Sequence, residues 1–507
     1  MIQILVDLIR GTATNTIEPP GDATQDTWRL NEALSCWSKD PRDVWTLEDA
    51  CRGTIIMGAN GSGKSSGPAS HLAECFLNAG FGGLVLCAKA DESEAWRTLL
   101  QRTGRVKSAL FFGTDPHWKI NFLNYEANRA GGGGLTENIV NLFVRVAEII
   151  EQRNAGVANQ EYWQRAMKQL VRNAIDLLLT AGRQVSLSEI VAVINSAPES
   201  EVQTTERHWQ QQSKCYSYLL EAEQAALADP GKRNAFHLCA HFWVNEFPKL
   251  AAQTRSSIVS TFTTLADALL RDPFRDRFCT ETTFVPEMLF QGAVCIADLD
   301  IKRYSDVGQY AQVLLKYLVQ QAVERRTDIG TSRARPIFIW VDECQHFTIP
   351  YDQIFQTTAR SARCATVCIT QNLPNLQAEF GAGPSGQARV NSFLGNLVNK
   401  FFCQQDEELT NRWAADTIGK VRQLLNNYSH SHSTADTGFH RPSASTGAGE
   451  TIDYDCPPRE FQLLANGGPR NSYTVEAIAF GGGRIWSNGK TWVRLRFLQR
   501  NFKDTKG

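Results

Sequence analysis

The sequence lacks several features that would place it in common classes. It has no apolar run that approaches the roughly 18 residues needed to span a bilayer, and its formal net charge is only −1 over 507 residues. Residues 1–10 form an amphipathic stretch with an acid inside it and no small-residue cleavage site, so they predict a short docking helix and not a signal peptide. We therefore expect a soluble, cytoplasmic protein. A polyanion such as DNA would have to be held by local basic patches and not by overall charge.

The thirteen cysteines contain no C-x-x-C pair, and three of them (Cys87, Cys295 and Cys368) lie within apolar runs. This usage is typical of reduced, buried thiols in cytosol. His237 and His241 lie one helical turn apart and could bind Zn²⁺ only with ligands from elsewhere, so we favour ordinary helix packing. The sequence shows no metal-binding carboxylate cluster typical of a nuclease.

The most informative stretch is an apolar strand that runs into a Gly-rich turn and then a helix. Gly58 to Ser65 fit G-x-x-x-x-G-K-[ST], the phosphate-binding P-loop. Lys64 is expected to reach the β- and γ-phosphates and Ser65 to bind Mg²⁺. The alternative is a Gly/Ser-rich loop that only closes a strand–helix connection. The predicted nucleotide-binding residues are Gly58, Ala59, Asn60, Gly61, Ser62, Gly63, Lys64, Ser65 and Ser66.

Two further apolar strands end in polar side chains. Residues 336–343 end in Asp342, expected to hold Mg²⁺ with Ser65, and in Glu343, expected to act as the base or to orient water. Residues 365–371 end in Gln371, which could contact a γ-phosphate or instead cap the turn that follows. Together with the P-loop, these residues predict hydrolysis of a nucleoside triphosphate with Mg²⁺ as cofactor.

Strand and helix patterns alternate along much of the chain, which favours an α/β fold with a parallel, doubly wound sheet. A helical pattern fills the middle. We predict an N-terminal edge segment, a first part of the nucleotide-binding domain, an inserted all-α domain and a second part of the nucleotide-binding domain, at residues 1–50, 51–123, 124–283 and 284–507. Residues 426–450, which contain His430, His432 and His440, are rich in small polar residues and predict a mobile surface loop with solvated histidines. Residues 473–498 predict a hairpin that turns at Asn488-Gly489.

The order of these motifs resembles the type IV coupling proteins of conjugation and secretion, which belong to the FtsK/HerA-type hexameric translocases. The resemblance covers most of residues 50–420. It includes the segment Lys89-Ala-Asp91, Pro116 with Asn121-Phe-Leu123, and the helical stretch 251–261. It implies a RecA-like nucleotide-binding domain with a central, mostly parallel sheet plus the all-α insertion. Unlike usual family members, this sequence shows no N-terminal transmembrane helices.

By that resemblance, Lys64 and Ser65 are Walker A residues, Asp342 and Glu343 are Walker B residues, and Gln371 is the γ-phosphate sensor. Arg360 would be an arginine finger that enters a neighbouring subunit's site, with Arg363 as its competitor. The implied partners are DNA, further copies of the chain in a hexameric ring, and a relaxase, secretion channel or other protein that could recruit it to the inner membrane.

The function implied is an ATP-driven DNA translocase that hydrolyses ATP at subunit boundaries. An alternative from another class is a soluble adaptor ATPase that recruits protein substrates through the all-α insertion. A monomeric helicase is less favoured. Asp342-Glu-Cys-Gln345 matches a D-E-x-Q box, but the remaining chain leaves little room for a second motor domain.

Overall fold

The computed structural model describes residues 27–129, 133–151, 160–326, 330, 332–380, 383–434 and 440–499. The predicted N-terminal helix at residues 1–10 lies outside them. The chain divides into two compact units. We call residues 24–81 and 327–507 the P-loop unit, and residues 1–23 and 82–326 the helical unit.

The described residues contain strands and helices in alternation. The strands are β1 (Ala33–Cys36), β2 (Val44–Thr46), β3 (Thr54–Met57), β4 (Gly82–Leu86), β5 (Ala109–Phe112), β6 (Val294–Ala297), β7 (Ile337–Val341), β8 (Cys364–Thr370), β9 (Asn399–Phe402), β10 (Lys420–Thr434), β11 (His440–Tyr454), β12 (Thr474–Gly481) and β13 (Trp492–Leu498). The helices are α1 (Leu47–Cys51), α2 (Ser70–Asn78), α3 (Ala90–Arg102), α4 (Phe122–Asn128), α5 (Thr136–Glu151), α6 (Gln160–Thr180), α7 (Leu187–Asn195), α8 (Arg207–Gln212), α9 (Lys214–Ala228), α10 (Arg233–His241), α11 (Ala252–Leu269), α12 (Phe274–Phe278), α13 (Ile301–Glu324), α14 (Pro350–Ala359), α15 (Leu373–Phe380), α16 (Pro384–Asn396), α17 (Glu408–Ile418) and α18 (Pro458–Gln462).

The strands of the P-loop unit follow the order β13-β12-β9-β3-β8-β7. β3 pairs in parallel with β8 and with β9, and β8 pairs in parallel with β7. Every residue of β3, β7, β8 and β9 is buried, as continuous apolar runs predict for parallel strands covered on both faces. The parallel, buried sheet predicted from the sequence is therefore present in this unit.

The C-terminal strands extend this sheet in the opposite direction. β12 pairs antiparallel with both β9 and β13. The predicted hairpin is present, but Asn488-Gly489 is only part of its turn, because β12 ends at Gly481 and β13 begins at Trp492. Trp486 lies in the connection, where its backbone N–H donates to the Lys490 carbonyl at 2.9 Å.

The described residues of the predicted surface loop at 426–450 instead form a two-stranded ribbon. β10 and β11 pair antiparallel in continuous register from Lys420 opposite Tyr454 to Thr434 opposite His440. Each strand satisfies the other's backbone hydrogen bonds, which requires no apolar side chains. The low apolar content of this segment led us to expect a loop, and that expectation missed the regular backbone pairing.

The helical unit carries parallel strands in the order β4-β6-β5, and its described residues between Asn121 and Thr282 contain helices and no strand. On α5, the apolar side chains of Ile139, Phe143 and Val146 are buried. The Phe143 ring lies 5.8 Å from that of Phe262 on α11. None of the helices that the structure describes is long and apolar enough to cross a membrane.

Candidate functional site

The predicted catalytic and phosphate-binding residues other than Arg360 follow the carboxyl ends of three adjacent parallel strands. Met57, the last residue of β3, pairs with Thr370, the last residue of β8. Val341, the last residue of β7, pairs with Cys368 on the other side of β8. The P-loop, Gln371 and the pair Asp342-Glu343 therefore emerge at one edge of the sheet, where ligands of open α/β sheets bind.

The P-loop backbone adopts the conformation that its glycines predict. Gly61 and Gly63 have φ of +76° and +82°, in the left-handed region that glycine adopts without strain. The chain then enters a π-helical turn, Ser65–Ala69, in which the Gly67 N–H donates to the Gly63 carbonyl at 2.7 Å. Within the described part of the chain, no acceptor takes the backbone N–H groups of Gly61, Gly63 or Lys64. Such groups are suited to an anion.

Lys64 is buried without an opposite charge. Its residue is 8% exposed, and no residue that the structure describes forms a hydrogen bond or ion pair with its ammonium. A buried ammonium is costly unless it is paired, so this position favours an anionic ligand. Ser65 beside it is exposed, and the buried hydroxyl of Ser62 has no hydrogen-bond partner among the described residues.

Glu343 is held by two amides. The residue is 4% exposed and has φ of +45°, a left-handed conformation that turns the chain sharply after β7. Gln371 Nε2 donates to its Oε1 at 3.2 Å, and Gln345 Nε2 donates to its Oε2 at 3.0 Å. Both carboxylate oxygens are therefore fixed in position. Asp342, which is half-buried, accepts the Glu343 N–H at 2.8 Å through Oδ1.

Three polar residues support this arrangement, and the sequence analysis assigned none of them to the site. Thr370 Oγ1 donates to Gln345 Oε1 at 2.9 Å. Gln405, which follows β9 and is 4% exposed, donates through Nε2 to the Gln371 carbonyl at 2.7 Å. The only sequence motif that included one of these three residues was the D-E-x-Q box. It contains Gln345 but was interpreted as a helicase motif.

The two arginines proposed as the finger differ sharply in environment. The Arg360 side chain follows α14, is 61% exposed and forms an ion pair with Glu48. Arg363 is 8% exposed, and its Nη1 donates to the carbonyls of Trp28 at 2.8 Å and Ala334 at 3.2 Å. Arg363 is thus engaged within its own unit, whereas Arg360 is accessible to another molecule.

The residues that the structure describes contain no cluster of His, Cys, Asp and Glu suited to a metal ion. His241 Nδ1 lies 2.9 Å from Glu246 Oε1 on the surface of the helical unit. Both His237 and His241 are exposed on α10.

The fold and the strand-end arrangement define a P-loop protein of the RecA-like α/β type with an additional helical segment, as the sequence predicted. The family model for TraG-D_C, the TraM recognition site of TraD and TraG, matches residues 336–452. Among curated proteins, no relative matches the chain.

Solved structures of coupling proteins share the fold over nearly the full length. The bacterial conjugative coupling protein TrwBdeltaN70, in its unbound monoclinic form, gives a TM-score of 0.58 at 12% identity, covering 95% of this chain and 92% of that chain. Plasmid coupling protein TrwB in complex with the ATP analogue ADPNP gives 0.57 at 12% identity, covering 97% and 98%. TrwB in complex with ADP and Mg²⁺ gives 0.56 at 12% identity, covering 94% and 91%. The matched region and the shared fold confirm the resemblance to the type IV coupling proteins.

Proposed function

We propose that the protein is an ATPase of the coupling-protein type that moves or recruits DNA. The observation that carries this proposal is the position of Glu343, which is buried and fixed by Gln371 and Gln345 at the edge where the unpaired Lys64 lies. A fixed carboxylate beside a phosphate site is suited to orient an attacking water. Simple nucleotide storage would not need it.

The residues fit ATP and Mg²⁺. Lys64 and the free N–H groups of the P-loop would hold the phosphates, and the accessible Ser65 hydroxyl and the Asp342 carboxylate would hold Mg²⁺. When bound, the ion offsets negative charge that develops on the phosphates. Complexes of TrwB with ADPNP and with ADP and Mg²⁺ support this assignment. Gln371 would report the loss of the γ-phosphate through its hydrogen bond to Glu343.

We also propose that hydrolysis occurs at the subunit boundaries of a ring. Substitution of Arg360 tests this most directly. A guanidinium that is exposed in its own subunit can enter a neighbour's site and stabilise charge in the transition state. DNA would be held by phosphate contacts, so its binding should weaken steeply as salt rises.

The test is the steady-state ATPase rate measured against protein concentration, with and without single- and double-stranded DNA at low salt. Glu343→Gln serves as the blank. A rate that rises more than linearly with protein and increases with DNA supports a ring translocase. Binding of DNA that stays flat between low and moderate salt contradicts the DNA part of the proposal.

A second candidate function is an adaptor ATPase that gathers protein partners. The matched family model is described as the TraM recognition site of TraD and TraG, and its match includes the ribbon β10–β11 as far as residue 452. The helical unit also exposes Leu227 and Leu238 by 71% and 61%. An ATPase rate indifferent to both DNA and protein concentration would favour this function.

A further inference from the structure

The C-terminal strands pack directly against the back of the P-loop. Val475 on β12 is fully buried, and a Cβ placed on Gly63 would overlap its methyl groups and lie 3.1 Å from the Asn466 carbonyl oxygen. A Cβ on Gly67 would lie 2.9 Å from Val475 Cγ1. Glycine at both positions therefore permits close contact between the P-loop and residues more than 400 positions later in the chain.

Gln499, which directly follows β13, bridges the two segments through its amide. Its Nε2 donates to Ser66 Oγ at 2.6 Å, and its Oε1 accepts the Gly468 N–H at 2.7 Å. A backbone N–H can only donate, so the amide oxygen must face Gly468 and the amide nitrogen must face Ser66. Gly467 has φ of +84°, and a Cβ there would overlap the Gln499 amide. The orientation of the amide is thus fixed by its surroundings.

This contact determines the direction of the Ser66 hydrogen bond. Because Ser66 Oγ accepts from Gln499, its own proton remains available for donation. The acceptor that the structure gives it is the Gly63 carbonyl at 3.5 Å, which is too long for a strong hydrogen bond. The hydroxyl is therefore prepared to donate to an anion that binds more closely.

We propose that Gln499 is a positioning residue of the phosphate site, which keeps the Ser66 hydroxyl oriented as a donor to a nucleotide phosphate. The inference rests on the proposed nucleotide site. It adds a role for the C-terminal end of β13 that no sequence motif of the P-loop contains. Because Ser66 is expected to donate to a phosphate and is not one of the expected Mg²⁺ ligands, the effect of Gln499 should not depend on the metal.

The experiment measures ADP affinity of the full chain by titration calorimetry, with and without Mg²⁺. Gln499→Met, which keeps the side-chain length, should weaken ADP binding about tenfold under both conditions. Gln499→Glu should weaken it further, because its carboxylate would accept the Ser66 proton and add a negative charge beside the phosphates. Ser65→Ala should weaken binding only when Mg²⁺ is present.

A double-mutant cycle separates positioning from general support of the fold. Ser66→Ala should cause a loss similar to that of Gln499→Met, and the double variant should show no further loss. The control is Gln423→Met, which removes a half-buried amide that donates to the Tyr454 carbonyl at 3.3 Å away from the P-loop. It should leave ADP affinity unchanged.

The outcomes distinguish this inference from the proposed function. If Lys64→Ala leaves ADP affinity intact, the nucleotide site itself is misplaced. If Lys64→Ala weakens ADP binding but Gln499→Met and Gln499→Glu do not, only the role of Gln499 is wrong. Additive losses for Gln499→Met and Ser66→Ala would also overturn it, because the two side chains would then act independently.

Discussion

The P-loop unit places its two most informative charged residues in opposite environments. Glu343 is buried, and two amides donate to its carboxylate oxygens. The Arg360 side chain is 61% exposed, and its ion pair with Glu48 joins two partly exposed groups, which is a weak interaction in water. One group is fixed by its own chain, and the other is free to exchange its partner.

This difference indicates where preorganisation is needed. A residue that orients water must be held within a few tenths of an ångström, and buried hydrogen bonds achieve this. A residue that serves another subunit must instead remain accessible until assembly. Exposure at Arg360 and burial at Glu343 are therefore what a site shared between subunits requires.

The largest expected effect comes from removing the guanidinium of Arg360, the exposed residue of the two. Arg360→Ala should lower DNA-stimulated ATPase activity by about 10³-fold or more, while ADP affinity stays close to that of the wild type. Arg412→Ala is the matched control. The Arg412 side chain is 60% exposed and forms a surface ion pair with Glu408 on α17. The ATPase activity of Arg412→Ala should equal that of the wild type.

Mixing variants tests whether Arg360 acts in a neighbouring site. Arg360→Ala and Glu343→Gln subunits should each be inactive alone but recover activity when combined, because a Glu343→Gln subunit can supply Arg360 to an intact neighbouring carboxylate. Absence of recovery in co-assembled rings would show that Arg360 serves its own subunit. Arg363→Ala should instead lower the melting temperature, because it removes hydrogen bonds to two backbone carbonyls.

Removing the charge of the buried residue, Glu343, should stop ATP turnover and preserve ATP binding. Glu343→Gln should reduce the catalytic rate constant by about 10³-fold, the range of general-base loss. ATP affinity should change little, because the amide replaces the carboxylate in nearly the same volume. Single-turnover hydrolysis and equilibrium binding measure the two effects separately. A variant that hydrolyses ATP normally would show that the base lies elsewhere.

A smaller effect should follow from loosening Glu343 without changing it. Gln345→Ala removes one of the two amides and leaves the Thr370 hydroxyl without its acceptor. We expect about a tenfold lower catalytic rate constant with unchanged ADP affinity, since one orienting hydrogen bond is lost. Gln356→Ala is the control, because it removes another buried amide, which donates to Thr366 Oγ1 at 2.8 Å. It should lower stability and leave the rate constant unchanged.

The contrast also shows which parts of the site could be predicted from the sequence. Lys64, Ser65, Asp342 and Glu343 could be proposed from the sequence because each lies in a short segment that follows an apolar strand. Their roles are local in the chain. Gln405 could not be found in this way, because it reaches Gln371 only through the order β9-β3-β8. That order depends on pairings between segments hundreds of residues apart.

The two arginines illustrate the same limit at short range. Arg360 and Arg363 lie three positions apart, so a helical pattern alone treats them as neighbours on one face. The structure separates them because α14 ends at Ala359 and Arg363 adopts φ of +53° immediately before β8. The two arginines differ in exposure because of where α14 ends. The helical pattern in the sequence did not predict that position.

The smallest expected effect concerns Lys400, another buried charge in the same unit. It lies in β9, and its Nζ donates to the Leu397 carbonyl at 2.6 Å. Burial lowers its pKa from 10.5 to about 8. Unlike the carboxylate of Glu343, this ammonium has no proposed ligand or catalytic role. Substituting Lys400 therefore tests whether a buried charge in this unit can lower stability without serving the ATPase reaction.

The sign of the pH dependence follows from the lowered pKa. Between about pH 8 and pH 10.5 the unfolded chain binds more protons at Lys400 than the folded chain, so this group makes stability rise with pH across that window. Below it, both states are protonated and the full burial cost applies. Lys400→Met should therefore raise the free energy of unfolding at about pH 7 by roughly 1–2 kcal/mol.

Melting temperatures at about pH 7 and about pH 10 provide the measurement. The advantage of Lys400→Met over the wild type should shrink at the higher pH, whereas Lys420→Met, at an exposed lysine of β10, should change stability at neither. ATPase activity should be unchanged for both variants. If Lys400→Met instead abolished ATP turnover with the fold intact, Lys400 would have a functional role, as we propose for Glu343. The distinction drawn between fixed catalytic charge and costly structural charge would then fail.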